Sequence, residues 1–127
     1  MRTWVLIADR ARARLFEARQ GNGHLDEVAG FIHVEGQLGS ELDRDQQGPQ
    51  PRDKVAREFA HGLATVLDQG RLDHCYERLI LVAPPRFLGQ LRSQLGSEVA
   101  KLVFEMVDKD ITHASPEEID AALRPHF

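Results

Sequence analysis

The chain has a single cysteine, Cys75, so it can form no internal disulfide and cannot by itself assemble a thiolate metal cluster. Nowhere do eighteen apolar residues follow one another, and the amino-terminal MRTWVLIADR lacks the long apolar run and small-residue cleavage site of a signal peptide. These absences predict a cytoplasmic protein with no membrane insertion. An excess of positive charge is missing too. Twenty Asp and Glu stand against sixteen Lys and Arg, for a formal charge of −4 at pH 7, which favours solubility and leaves room only for local contacts with a polyanion. There is no G-x-S-x-G, P-loop or G-x-G-x-x-G, so covalent catalysis has no candidate nucleophile with a base in hand. Six histidines, His24, His33, His61, His74, His113 and His126, show neither the i, i+4 pairing nor the cysteine spacing of a zinc site. No cofactor and no metal are assigned.

What remains is 127 residues at 42% hydrophobic, enough for one domain over 1–127 with one core. Thr3 to Ala8 is continuously apolar and rich in Val, Ile and Trp, which predicts a strand covered on both faces. At Asp9 the pattern changes: Ala11, Ala13 and Leu15 alternate with Arg12 and Arg14, as in a strand with one wet face. The chain therefore turns at Asp9. The Gly21-Asn22-Gly23 turn leads to a third strand predicted over Val28 to Val34. Glu35 to Asp53, crowded with Gly, Pro, Gln and acids, reads as a long flexible loop.

Asp53 is placed to cap a helix whose Val55, Phe59, Leu63 and Leu67 form one stripe and which ends near Gly70. Arg78 to Ala83 is a second continuous apolar strand, stopped by Pro84 and Pro85. A helix with Leu88, Leu91 and Leu95 inward comes next, ending at Gly96. Lys101 to Val107 alternates and predicts a strand near the sheet edge, with Leu102, Phe104 and Met106 on one face. Ser115, Pro116 and Glu118 carry a capping-box signature for the last helix, docked by Ile119 and Leu123. The order βββαβαβα, with right-handed crossovers and the two doubly covered strands adjacent, gives a three-layer α/β/α fold. Its five-stranded mixed sheet, in order 3-2-1-4-5 with the second strand antiparallel, is ribonuclease H-like.

A two-metal nuclease on such a sheet needs several converging carboxylates. Asp9 and Glu58 supply two, but the fourth strand ends in Ala83, Pro84 and Pro85 where a third is wanted. The series Arg10, Arg12, Arg14 offers forks for phosphate or, equally, a solvated and ion-paired strand face. No aromatic interleaving of the single-strand-binding kind accompanies it. His74 and Cys75 read as a linker rather than a reactive thiol. Asp108, Asp110, Thr112 and His113 gather after the fifth strand, where Asp9 can approach them, at the edge at which open α/β sheets place ligands. The alternative there is a turn and capping network.

Three stretches, WVLIADRARARLFEA at residues 4 to 18, LVAPPRFLGQLRSQL at 81 to 95 and VDKDITHASPEEI at 107 to 119, resemble in order and spacing the bacterial host attachment proteins, named for a requirement in attachment to host cells. The resemblance implies a fold similar to the middle domain of archaeal and eukaryotic class-1 peptide-chain release factors. In those factors a Gly-Gly-Gln loop ahead of the first long helix promotes peptidyl-tRNA hydrolysis. The corresponding place here, Glu35 to Asp53, has Gly36-Gln37 without Gly-Gly-Gln and carries Glu41, Asp43 and Asp45, which repel rRNA phosphate. No catalytic residue is carried over.

Three functional readings result. The first is a non-catalytic cytoplasmic binding domain associated with ribosome, tRNA or other RNA through Arg10, Arg12, Arg14, Arg86 and Arg92, affecting attachment indirectly. The second is a hydrolase of peptidyl-tRNA or nucleic acid using Asp9, Asp108, Asp110 or His113. The third is a protein-interaction module regulating envelope or surface polysaccharide. The strand at Lys101 to Val107 either pairs between subunits of a homo-oligomer or carries its charges to prevent this.

Overall fold

The first strand, β1 (Thr3–Ala8), is buried at every position, as a strand covered on both faces must be. β2 (Arg12–Ala18) returns antiparallel to it, with Ala8 opposite Ala13 and Thr3 opposite Ala18. β3 (Leu25–Ile32) pairs antiparallel with β2. On the other side β4 (Arg78–Ala83) runs parallel to β1, and β5 (Val103–Asp108) parallel to β4. The sheet order is β3-β2-β1-β4-β5, the ribonuclease H-like arrangement expected from the hydrophobic periods. The computed structural model describes residues 2–18, 25–32 and 52–126; the turn at 19–24, His24, His33 and the expected loop up to residue 51 lie outside them.

Helices α1 (Arg52–Leu72) and α2 (Pro85–Gln94) cover one face of the sheet. Leu6, Leu15, Leu79 and Leu81 from the strands meet Phe59, Leu63, Leu67, Phe87 and Leu91 there. The opposite face, with Val5, Ile7, Phe16, Ile80 and Val82, is closed by Ile119 and Leu123 of α4 (Pro116–Leu123). The predicted capping box of α4 is present: the Glu118 amide donates to Ser115 Oγ at 3.2 Å, and the Ser115 amide donates to Glu118 Oε1 at 3.0 Å. Among the described residues no helix is long and apolar enough to cross a membrane.

Four boundaries differ from the sequence reading. β3 starts at Leu25, because Leu25 is buried opposite Ala18 and the acids Asp26 and Glu27, which break the apolar run, are acceptable on an edge strand. α1 is already helical at Arg52, so Asp53 stands inside the first turn, and the cap position falls on a residue outside the described ones. α2 ends at Gln94, and Gly96 instead precedes a short helix, α3 (Ser97–Leu102), which takes Lys101 and Leu102 out of the strand. β5 carries a bulge: Leu79 faces Val103 and Ile80 faces Glu105, so Phe104 is the extra residue. Phe104 is therefore 54% exposed rather than inward, and the Arg78 guanidinium lies 4.5 Å above its ring.

At the same end of the strands, in β1, Trp4 stacks on Tyr76 with ring centroids 4.7 Å apart, and the Tyr76 hydroxyl donates to the Leu67 carbonyl at 2.7 Å. Burial pushes the Tyr76 phenol up to about 12. Gly70 lies against this pair; a Cβ there would fall 2.5 Å from the Trp4 ring. Gly70→Ala should destabilise the fold by about 1 kcal/mol, the overpacking of a rigid ring exceeding the gain in helix propensity. Chemical denaturation checks this, and a stabilised variant would contradict the packing.

Candidate anion-binding cleft

β1 and β2 are joined by a tight turn that Asp9 organises. The Asp9 amide donates to the Arg12 carbonyl at 2.9 Å, while Asp9 Oδ1 accepts from the amides of Ala11 at 2.8 Å and Arg12 at 2.9 Å. Its second oxygen accepts from Thr112 Oγ1 at 2.7 Å. Partial burial alone would raise the Asp9 carboxyl, but the bonds from Thr112, Ala11 and Arg12, with a smaller contribution from nearby His113, hold it below the ordinary carboxylate value. Thr112 is only 2% exposed. The turn-and-capping alternative has Asp110 and Thr112 satisfying loop amides; in the structure it is Asp9 that accepts from the amides, and Thr112 donates to Asp9.

The same turn carries Arg10 on its outer side. Arg10 and Ala11 form one wall of a cleft of about 350 Å³ at the carboxyl edge of β1 and β4. The facing wall is the start of α2: Pro84 precedes the helix, Pro85 opens it, no acid stands in its first turn, and Arg86, Phe87 and Gln90 line the cleft. Ala56 of α1, Asp9 and Asp110 complete the lining. Lys109 is anchored by its amide to the Ala83 carbonyl at 3.1 Å, and Thr112 is fastened to Asp9, so Asp110 sits between two fixed points.

Of the five arginines singled out from the sequence, Arg10 and Arg86 line this cleft. Arg14 is engaged elsewhere: Nη2 and Nε donate to Glu27 at 2.8 and 3.1 Å, and Nη1 donates to the carbonyls of Ala114 at 2.8 Å and Thr112 at 3.3 Å. Its guanidinium also lies over Phe16 on the α4 face, and it holds the Glu27 carboxyl below its ordinary range. Arg12 approaches His113, Nη1 to Nδ1 at 3.4 Å. Arg92 is exposed in the last turn of α2, and Asp108, opposite Ala83 at the end of β5, is exposed; neither lines the cleft. Glu58 lines a separate open groove with Lys54, Arg57, His61 and Gln94. No group of three His, Cys, Asp or Glu capable of holding a metal ion occurs among the described residues. Gln90 is a lining residue that the sequence reading does not single out; its one signal is a spacing of one helical turn from Arg86, directly after two prolines.

Residues 4–123 match the family model described as "Protein required for attachment to host cells". The chain belongs to this family. No curated protein matches it. Among solved structures it is similar to a type II variant of the Aquifex aeolicus Ppx/GppA phosphatase, at 19% identity over 85% of this chain and 36% of that one, with a TM-score of 0.43. It is also similar to the archaeal translation termination factor aRF1, at 13% identity over 98% of this chain and 39% of that one, again with a TM-score of 0.43. The family member described here thus spans less than two-fifths of either.

Proposed function

We propose that this protein is a non-catalytic binding domain, acting in the cytoplasm, that takes a phosphate group of RNA, ribosomal or transfer, in the cleft between the β1–β2 turn and α2. Its effect on attachment to host cells is then indirect. The observation that carries this reading is the placement of Arg10 and Arg86, from two separate elements, on one cleft at the carboxyl edge of the sheet, where open α/β folds bind ligands. Guanidinium groups suit phosphate because they offer planar forks of donors. Asp9, which also lines the cleft, has both oxygens engaged in holding the turn, which supports a binding rather than an acid-base role.

The double variant Arg10→Glu, Arg86→Glu should lose ribosome co-sedimentation and RNA retention. Each single variant should lower the slope of log affinity against log salt by about one. Unchanged retention by a folded double variant would eliminate the proposal.

A further inference from the structure

Resting on that reading, we infer that the cleft recognises a phosphorylated ribose, with Arg10 and Arg86 on the phosphate and the Asp110 carboxylate accepting a bond from the ribose 2′-hydroxyl. Three observations lead there. First, the cleft is about 350 Å³, the lower end of the range for small-molecule sites, so it suits one nucleotide unit rather than a track for a long strand. Second, it is not a uniformly positive surface: Asp110 lines it together with the two arginines. A carboxylate there repels phosphate, and it gains a use only if the ligand also brings a donor. Third, neither the Arg10 nor the Asp110 side chain forms a hydrogen bond or ion pair with another of the described residues, so the two opposite charges do not neutralise each other.

Asp110 is also preorganised. Lys109 before it is bonded to Ala83, and Thr112 after it to Asp9, so the backbone that carries the carboxylate is fixed beside the cleft. Ala11, Ala56, Pro84 and Phe87 give the lining an apolar part, against which a sugar ring can lie. The 2′-hydroxyl, donor and acceptor at once, is the group that separates RNA from DNA at such a site.

The test is calorimetric titration of the full chain with inorganic phosphate, adenosine 5′-monophosphate, 2′-deoxyadenosine 5′-monophosphate, and 5′-phosphorylated tetranucleotides of RNA and DNA. The ribonucleotide should bind about tenfold more tightly than its deoxy counterpart, the value of one bond to a charged acceptor. Asp110→Asn should weaken the ribonucleotide towards the deoxy value while binding inorganic phosphate as well as or better than the parent. That opposite response is one a purely structural residue does not give. Equal binding of the two nucleotides, with phosphate still bound and still dependent on Arg86, overturns the inference and leaves the anion cleft standing. Failure of every phosphate compound to bind overturns both. An RNA tetranucleotide tighter than the mononucleotide identifies the source as an RNA end; equal affinity identifies a free nucleotide.

Discussion

Asp9→Ala should lower stability by about 3 kcal/mol and the melting temperature by roughly 10 °C, a large effect for a residue in an exposed turn. The substitution removes the acceptor that closes the turn through the exposed amides of Ala11 and Arg12 and leaves the Thr112 hydroxyl without its partner at a position almost closed to water, where an orphaned donor carries the full cost of desolvation. The acid dependence has a definite sign. Because the folded-state carboxyl titrates below its ordinary value near 3.8, its contribution is complete above that value and is lost as pH falls through the lower folded value. Urea midpoints of the parent and Asp9→Asn, compared at pH 7 and near pH 3, should therefore converge in acid. A constant difference at both would show that charge has no part in the turn.

Arg14→Ala should cost a similar amount, about 3 kcal/mol, although arginines on a strand face ordinarily contribute little. This side chain links three segments: its own strand β2, Glu27 on β3, and the 112–114 loop through two carbonyls. Arg14→Lys should recover only part of the loss, since an ammonium cannot make the paired contact with Glu27 and reach both carbonyls. A double-mutant cycle with Glu27→Ala should show a clear coupling energy. A cost under about 0.5 kcal/mol, within the range of ordinary surface changes, would reduce Arg14 to a solvated surface charge. The result also guides functional work. A charge reversal at Arg14 would act through the fold, so Arg10 and Arg86 are the positions at which the proposed phosphate binding is tested.

The layers and strand order were legible because β1 and β4 are apolar without interruption, a pattern that only a doubly covered strand tolerates. The α4 start was legible because Ser115, Pro116 and Glu118 form a local motif whose bonds depend on no distant residue. The rest was decided by partners far away in the chain. Periodicity gave Arg12 and Arg14 the same face but could not say that Arg14 would find Glu27 and the 112–114 carbonyls while Arg10 would be left on the cleft. The β5 alternation misled because a single extra residue, Phe104, reverses the parity of the strand positions beyond it. Gln90 was hidden because an amide on a helix gives no sign of its purpose until the turn opposite it is in place.

That extra residue has an effect beyond its own packing. Among the described residues β5 is the last strand on its side of the sheet, and a strand border of this kind is a template on which another chain can add itself and seed a fibre. With Phe104 interrupting the ladder near the start of the strand and drawing Arg78 over its ring, the bulge twists the border and places a cation beside it, so an incoming strand meets a broken row of donors and acceptors. A kinked border of this kind is a poorer template for strand addition than a flat one.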